Sequence, residues 1–289
     1  MVNKNQVGKV LVVTGTRGGV GVSTVSSLVA LGEARYGLKA GVLDVDVRRP
    51  SVGGYFGVGP NGHHSTTPAV TPMGIKVMGA DRLLPGSEKR GLWRGTEAAE
   101  VTRRLWNEVD WGKLDYLVVD VPSNADDTAL AVMETLPVTG VILVFSPLET
   151  IEAVVEKARA ITAGGAPVIA LIENYRHLKM PASPKEMEIT GIGDPSPEGL
   201  KKAHHPGQRY LPVFGTSRGD EVAQAADVRL LTRIPYDPVL ARFSQDGQIE
   251  RYSYGSLIYI ADSLGGMLGD PRCGGCACSG GTCKAALAY

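Results

Sequence analysis

The chain of 289 residues is long enough for one large α/β domain or two small ones. Hydrophobic residues make up 43% and charged residues 21%, ordinary for a globular protein, and 30 Lys and Arg balance 30 Asp and Glu. That balance excludes the basic footprint of a nucleic-acid binder and a polybasic membrane signal, and no run reaches the about 18 apolar residues of a membrane helix. The polar start, M-V-N-K-N-Q-V-G-K, lacks the apolar core of a signal peptide, which predicts a cytoplasmic protein.

Val7 to Thr14 is a predicted strand, and its run Val10-Leu11-Val12-Val13 suits a buried position. It leads into Thr14 to Thr24, T-G-T-R-G-G-V-G-V-S-T, and then into an apolar-rich helix from Val25 to Tyr36. A glycine-rich turn between a strand and a helix N-terminus points backbone N–H groups inward, and the helix dipole favours negative charge. The loop is therefore a candidate phosphate cradle; the other reading is a turn that only preserves the fold. Against the P-loop spelling G-x-x-x-x-G-K-[ST], Gly21 and Ser23 match and Val22 stands in the lysine position.

Lys39 to Leu43 is a second short strand, ending in Asp44-Val45-Asp46. Carboxylates there, beside a phosphate loop, are placed for metal or water contacts, with solvated loop acids as the alternative. Gly53 to Thr71, rich in Gly, Pro, His and Thr, predicts a mobile surface loop. Gly74 to Met78 is a strand and Thr96 to Val109 a helix. Leu114 to Val119 is a strongly apolar strand tipped by Asp120, the pattern of a Walker B element. A short helix at Thr128 to Thr135, a strand at Gly140 to Phe145, a helix at Thr150 to Ile161 and a strand at Ala166 to Ile172 follow. Strands alternating with helices predict right-handed βαβ units and a parallel sheet.

From Tyr175 to Pro212 prolines and glycines break the pattern. Ser217 to Ala226 is then a helix, Val228 to Arg233 a strand, Ile234 to Pro238 a turn and Tyr254 to Leu268 a final helix. The paired histidines His63-His64 and His204-His205 are expected in solvent, and Trp93, Trp106 and Trp111 in the core or on a dimer face.

In this order, L-D-V-D-V-R-R-P-S, G-I-K-V-M, W-R-G-T, V-D-W-G-K-L-D-Y-L-V-V-D-V-P-S, I-E-N-Y, V-F-G and R-I-P-Y-D-P resemble the Mrp-type iron–sulfur carrier ATPases, within the MinD/ParA branch of P-loop proteins. The resemblance runs from about Val7 to about Gly247. It implies an α/β fold with a mostly parallel sheet and helices on both faces. That would be a single P-loop domain over 1–268 with an irregular insertion at 175–212, followed by a disordered Gly/Cys-rich tail at 269–289.

The resemblance also implies roles. Gly18, Gly19, Val20, Gly21, Val22, Ser23 and Thr24 would cradle the phosphates of ATP or ADP. Ser23, Asp44 and Asp120 would surround Mg²⁺. Asp46 would position the attacking water, and Arg17 falls where a lysine reaches across a dimer to the partner's nucleotide. Asn174 matches an adenine-reading amide and Pro235 lies in the segment that packs on the base. Such a protein would be a cytoplasmic carrier that binds nucleotide at a degenerate loop and passes clusters to apo iron–sulfur proteins. It would be a homodimer or a heterodimer with a paralogue, with no nucleic-acid or membrane partner. The alternative is a non-hydrolysing pseudo-ATPase, acting as a scaffold or as the partner of an intact paralogue.

Three departures from the family pattern stand out. Val22 replaces the loop lysine, Met180-Pro181-Ala182-Ser183 replaces a C-P-x-C pair, and Asp120 to Asp126 lacks the glycines of P-P-G-T-G-D. The four cysteines are instead gathered in the tail, Cys273, Cys276, Cys278 and Cys283, spaced C-x2-C-x-C-x4-C. Four thiolates so close can hold a [4Fe-4S] cluster or Zn²⁺, or remain an unliganded redox tail.

Overall fold

The computed structural model describes residues 5–46, 49–59, 64–83, 96–123, 126–180, 189, 210–211, 214, 217–253 and 256–270. Its centre is β1 (Gln6–Gly15), where Val10 to Val13 are fully buried. Such a run stays apolar at every position because both faces of a parallel strand are covered. Successive side chains alternate between two cores. Leu11 and Val13 join the cluster under α1 (Val22–Arg35), and Val10 and Val12 join the cluster on the opposite face.

β1 lies between β5 (Lys113–Asp120) and β6 (Gly140–Phe145), parallel to both. β2 (Ala40–Asp44) and β4 (Lys76–Gly79) extend the parallel sheet on one side, and β3 (Ala69–Val70) closes that side antiparallel. β7 (Val168–Lys179) pairs with β6, with β9 (Leu230–Tyr236) and, antiparallel, with β8 (Tyr210–Leu211). The strand order is β3-β4-β2-β5-β1-β6-β7-β8, with β9 on β7. Because β1 is flanked by strands that come later in sequence, the loops at its carboxyl end open into a crevice, the usual ligand position in such sheets.

α2 (Val52–Tyr55), α8 (Pro238–Gln245) and α9 (Ser256–Met267) contribute to the α1 face. α4 (Thr96–Asn107), α5 (Asp126–Thr135), α6 (Ile151–Ala163) and α7 (Gly219–Ala226) contribute to the other, with α3 (Ala80–Leu83) at the end of β4. No described helix is long and apolar enough to cross a membrane. α9 docks on α1 where Gly32 leaves room: a Cβ there would meet the Leu257 carbonyl oxygen at 2.6 Å. Gly32→Ala is expected to destabilise the fold by about 1–3 kcal/mol, read as a lower urea midpoint, since backbone rather than a side chain must give way.

Three expectations are corrected. The 53–71 stretch is not one loop. It continues α2 through the buried Phe56 and ends at β3, although 60–63 lie outside the described residues. The irregular insertion expected at 175–212 begins later, because β7 continues through Lys179 on hydrogen bonds to β8 and β9. The turn expected at Ile234 to Pro238 is the end of β9 followed by α8. Pro235 costs the sheet no ladder bond on the side β9 leaves unpaired among the described residues. Asp237 and Pro238 then start α8 as N-cap and first helical residue, the Asp237 carboxylate accepting from the Val239 N–H at 2.9 Å. Trp111 is in the core as expected; Trp93 lies outside the described residues.

Candidate functional site: the loop after β1

The loop between β1 and α1 keeps the backbone of a phosphate cradle. Gly19 and Gly21 have φ of 88° and 85°, and Gly21 is the N-cap of α1. No side chain caps this helix and no acid lies in its first turn. Its first N–H groups are thus available to an anion. Arg17, Gly18 and Gly19 are exposed, and a Cβ added at Gly18 or Gly19 would meet nothing within 4 Å. Ser23 and Thr24 are half-buried.

The underside of the loop is apolar. Val20 and Val22 both belong to the α1 core cluster, and both crowd against Gly15 at the end of β1. The position that matches a P-loop lysine therefore packs the core and brings no charge to the loop.

Beside it stands an acidic group on adjacent strand ends. Asp44 of β2 and Asp120 of β5 are register partners, and both are buried. The Ser23 hydroxyl donates to Asp120 Oδ2 at 2.7 Å and the Ser26 hydroxyl lies 2.8 Å from Oδ1. Asp44 Oδ1 accepts from the Asp46 N–H at 2.9 Å, and Oδ2 from the Ser51 and Val52 N–H groups at 2.9 and 3.1 Å. Asp46 Oδ1 in turn accepts from the Arg49 N–H at 3.0 Å.

Burial pushes the Asp120 carboxyl up to about 7, with the Asp44 charge adding and the two serine hydroxyls opposing. Burial likewise pushes Asp44 up to about 6 against its three backbone N–H donors. Neighbouring buried carboxyls next to a hydroxyl suit a divalent cation, which would relieve both penalties. Among the described residues no three His, Cys, Asp or Glu side chains converge to hold a metal unaided. A cation here would therefore draw on Ser23 Oγ and on ligand oxygens as well.

These shifts carry a pH dependence. The folded carboxyls hold protons at pH values where the unfolded ones have released them. Without a divalent cation their contribution is fully present below the ordinary carboxylate range and is lost as pH rises through about 6 and about 7. Urea unfolding of the wild type and Asp120→Asn across this interval is expected to show the wild type losing ground as pH rises. A difference that is constant with pH contradicts this.

The flanking residues complete the rim. Arg17 Nε donates to Glu149 Oε1 at 2.6 Å, and Glu149 Oε2 accepts from the Ser146 N–H. Asn174 is buried, and its Nδ2 donates to the Val20 carbonyl at 2.8 Å, tying β7 to the loop. Glu173 points the other way, accepting from Ser217 at 2.6 Å and Arg233 at 3.1 Å. Pro235 is buried in β9, next in sequence to Ile234, the register partner of Asn174.

The chain matches the family model for ParA, described as a NUBPL iron-transfer P-loop NTPase, over residues 6–205. It belongs to this family. The iron-sulfur cluster carrier protein of Saccharolobus solfataricus is 32% identical over 256 residues, 85% of this chain and 76% of that protein. The iron-sulfur cluster carrier protein of Methanocaldococcus jannaschii is 31% identical over 253 residues, 84% of this chain and 78% of that one. A nucleotide-binding protein from Archaeoglobus fulgidus, solved in complex with ADP, is 29% identical with a TM-score of 0.68, covering 86% of this chain and 90% of that chain. The septum site-determining protein MinD of Pyrococcus horikoshii, at 18% identity and TM-score 0.59 over 90% of this chain and 96% of its own, shares the fold.

The ParA-family fold thus brings Asp44, Asp46, Asp120 and Asn174 beside the loop and first turn of α1, Asp120 through Ser23, Asp44 as the register partner of Asp120, Asp46 through Asp44 and Asn174 through Val20. Three contributors were not anticipated. Ser26 lies one turn beyond Ser23, so both hydroxyls reach Asp120; the i, i+3 spacing of the two serines was a readable signal. Glu149 carries no such signal, because it arrives from a loop 132 residues from Arg17, and Tyr175 comes with β7 directly after Asn174, its hydroxyl 2.6 Å from where a Cβ on Gly21 would lie. His64 is exposed, while His63, His204, His205, Ser183 and the four tail cysteines lie outside the described residues.

Proposed function

We propose that this chain is a cytoplasmic iron–sulfur cluster carrier that binds ATP or ADP with Mg²⁺ at a degenerate P-loop and delivers clusters to apo iron–sulfur proteins. The observation that carries the reading is the Ser23 hydroxyl 2.7 Å from Asp120 at the foot of an uncapped helix N-terminus. Support also comes from the relatives named as iron-sulfur cluster carrier proteins and from the ADP complex of the Archaeoglobus fulgidus protein. Backbone N–H groups of Gly18 to Thr24 would bind the phosphates. Ser23 and Asp120 would hold Mg²⁺ with Asp44 beside them, and the cation would supply charge neutralisation of the phosphates. Asn174 and Pro235 would face the base. The working unit is a homodimer or a heterodimer with a paralogue, and Asp46 with Arg17 of the partner subunit would serve any hydrolysis.

The cluster is cargo, and Cys273, Cys276, Cys278 and Cys283 are its proposed holders, as [4Fe-4S] or with Zn²⁺ in its place. Anaerobically purified wild type is expected to contain iron and sulfide, and a Cys276→Ser, Cys278→Ser double variant to lose most of both. Equal iron in the two contradicts the assignment.

A second reading is a pseudo-ATPase that does not hydrolyse nucleotide and serves as a scaffold or as the partner of an intact paralogue. Its support is specific: Val22 is part of the core, and Arg17 is engaged by Glu149 of its own chain.

A further inference from the structure

The last described residues of the chain are anchored at the end of the sheet away from the phosphate loop. In β5, Tyr116 is the register partner of Ala40, the first residue of β2, and Asp120 is the partner of Asp44, the last. Tyr116 therefore marks the amino end of these strands and Asp120 the carboxyl end, about 13 Å apart along β5. α1 covers the same interval. It starts at the loop and ends before Lys39, whose carbonyl accepts from the Asp115 and Tyr116 N–H groups at 2.8 and 3.2 Å.

α9 is tied to α1 toward that end. The Leu257 backbone lies against Gly32, and the Tyr36 hydroxyl donates to Asp262 Oδ1 at 2.9 Å. Met267 and Leu268 still pack on the α1 core cluster. Gly269, at φ 66°, ends the helix, and the Asp270 N–H returns to the Gly265 carbonyl at 2.9 Å, as in other helices closed by a left-handed glycine. Asp270 Oδ2 then lies 3.4 Å from the Tyr116 hydroxyl. The root of the tail is thus fixed near the amino end of β5.

Little chain separates that root from the first thiol. Only Pro271 and Arg272 stand between Asp270 and Cys273, and an extended chain gains at most about 3.6 Å per residue, which keeps the Cys273 Cα within about 11 Å of Asp270. A centre shared by Cys273, Cys276, Cys278 and Cys283 cannot leave that neighbourhood. Met180, where the run that replaces the C-P-x-C pair begins, instead follows β7 at the carboxyl end of the sheet, the end of the phosphate loop.

We propose that the four tail cysteines hold their iron–sulfur cluster at the amino end of the sheet, near Lys39 and Tyr116, at the opposite end of α1 from the phosphate loop. This rests on the reading of the tail as the cluster holder and adds where the cluster stands. A recipient protein then takes the cluster without displacing nucleotide, and nucleotide acts on the cluster only through the packed pair of α1 and α9.

The test is electron paramagnetic resonance on the full chain, loaded anaerobically with iron and sulfide. A nitroxide is attached to a cysteine introduced by Lys39→Cys at the amino end or by Leu148→Cys beside Glu149, the partner of Arg17 in the loop. Both side chains are exposed, so both variants fold, and the tail thiolates are shielded from the label by ligation. The reduced cluster is paramagnetic and speeds the relaxation of a nearby spin, steeply with distance. The enhancement is expected to be about 10-fold greater at Lys39→Cys than at Leu148→Cys, because strands of about 13 Å or more separate the two ends. Lys113→Cys, exposed at the start of β5, is expected to repeat the Lys39→Cys result. Equal enhancement at the two ends, or a greater one at Leu148→Cys, overturns the placement and leaves the cluster reading intact. A loaded wild type without iron, or a Cys276→Ser, Cys278→Ser variant with as much iron as the wild type, removes the tail as cluster holder and the placement with it.

Discussion

Val22→Lys is expected to raise ATP hydrolysis by about 10²-fold or more, the usual worth of one pre-organised cationic or hydrogen-bond donor at a reacting phosphate. Val22 is the first residue of α1, and its methyl groups lie among Val20, Gly15 and the core cluster. A lysine at that position can leave its methylene stem on this apolar patch and carry the ammonium outward. The outer part of the loop is open, since nothing lies within 4 Å of a Cβ at Gly18 or Gly19. Phosphate release by wild type, Val22→Lys and the volume control Val22→Met separates charge from packing. A rise in Val22→Lys alone is the expected outcome. Equal rates in all three would mean that other parts of the site limit turnover, Arg17 engaged by Glu149 being the first to examine.

Gly21→Ala is expected to cost about 2–4 kcal/mol of stability, combining a left-handed backbone with crowding. The φ of 85° is strained for any L side chain, and the new methyl would press on Asn174 Nδ2 and the Tyr175 hydroxyl. Asn174 then has to give up the Val20 carbonyl, the hydrogen bond that joins β7 to the loop. Urea unfolding reads the loss as a lower midpoint. A change within about 0.5 kcal/mol, the range of an unremarkable surface substitution, would show that the contacts around Gly21 rearrange without cost.

Much of this molecule was legible in the sequence for a plain physical reason. β1, β5 and β6 are buried on both faces, so their apolar runs are unbroken, and the glycines and serines between β1 and α1 have few other uses. Asp120 at the tip of such a run could be placed before any coordinates. The errors fall where local signals mislead. Pro235 suggests a turn, yet an edge strand tolerates it, and the missed α8 begins at an Asp-Pro pair that acts as a helix start. Gly53 and Gly54 suggest a loop, yet Asp44 accepts from the Ser51 and Val52 N–H groups and holds α2 in place. The contact between Tyr175 and Gly21 depends on a bulge set by the pairing of β7 with β9, and no window of sequence contains both strands. Arg17 was legible as the loop's remaining cation, but its engagement by Glu149 comes from residues 132 apart.

Titrating the full chain with Mg-ADP and Mg-ATP tests most directly whether a phosphate loop without its lysine still holds nucleotide. Binding of both at one site per chain, abolished by Asp120→Asn together with Ser23→Ala, is the expected result. No heat from either nucleotide up to millimolar concentration, in protein that unfolds cooperatively, would contradict it.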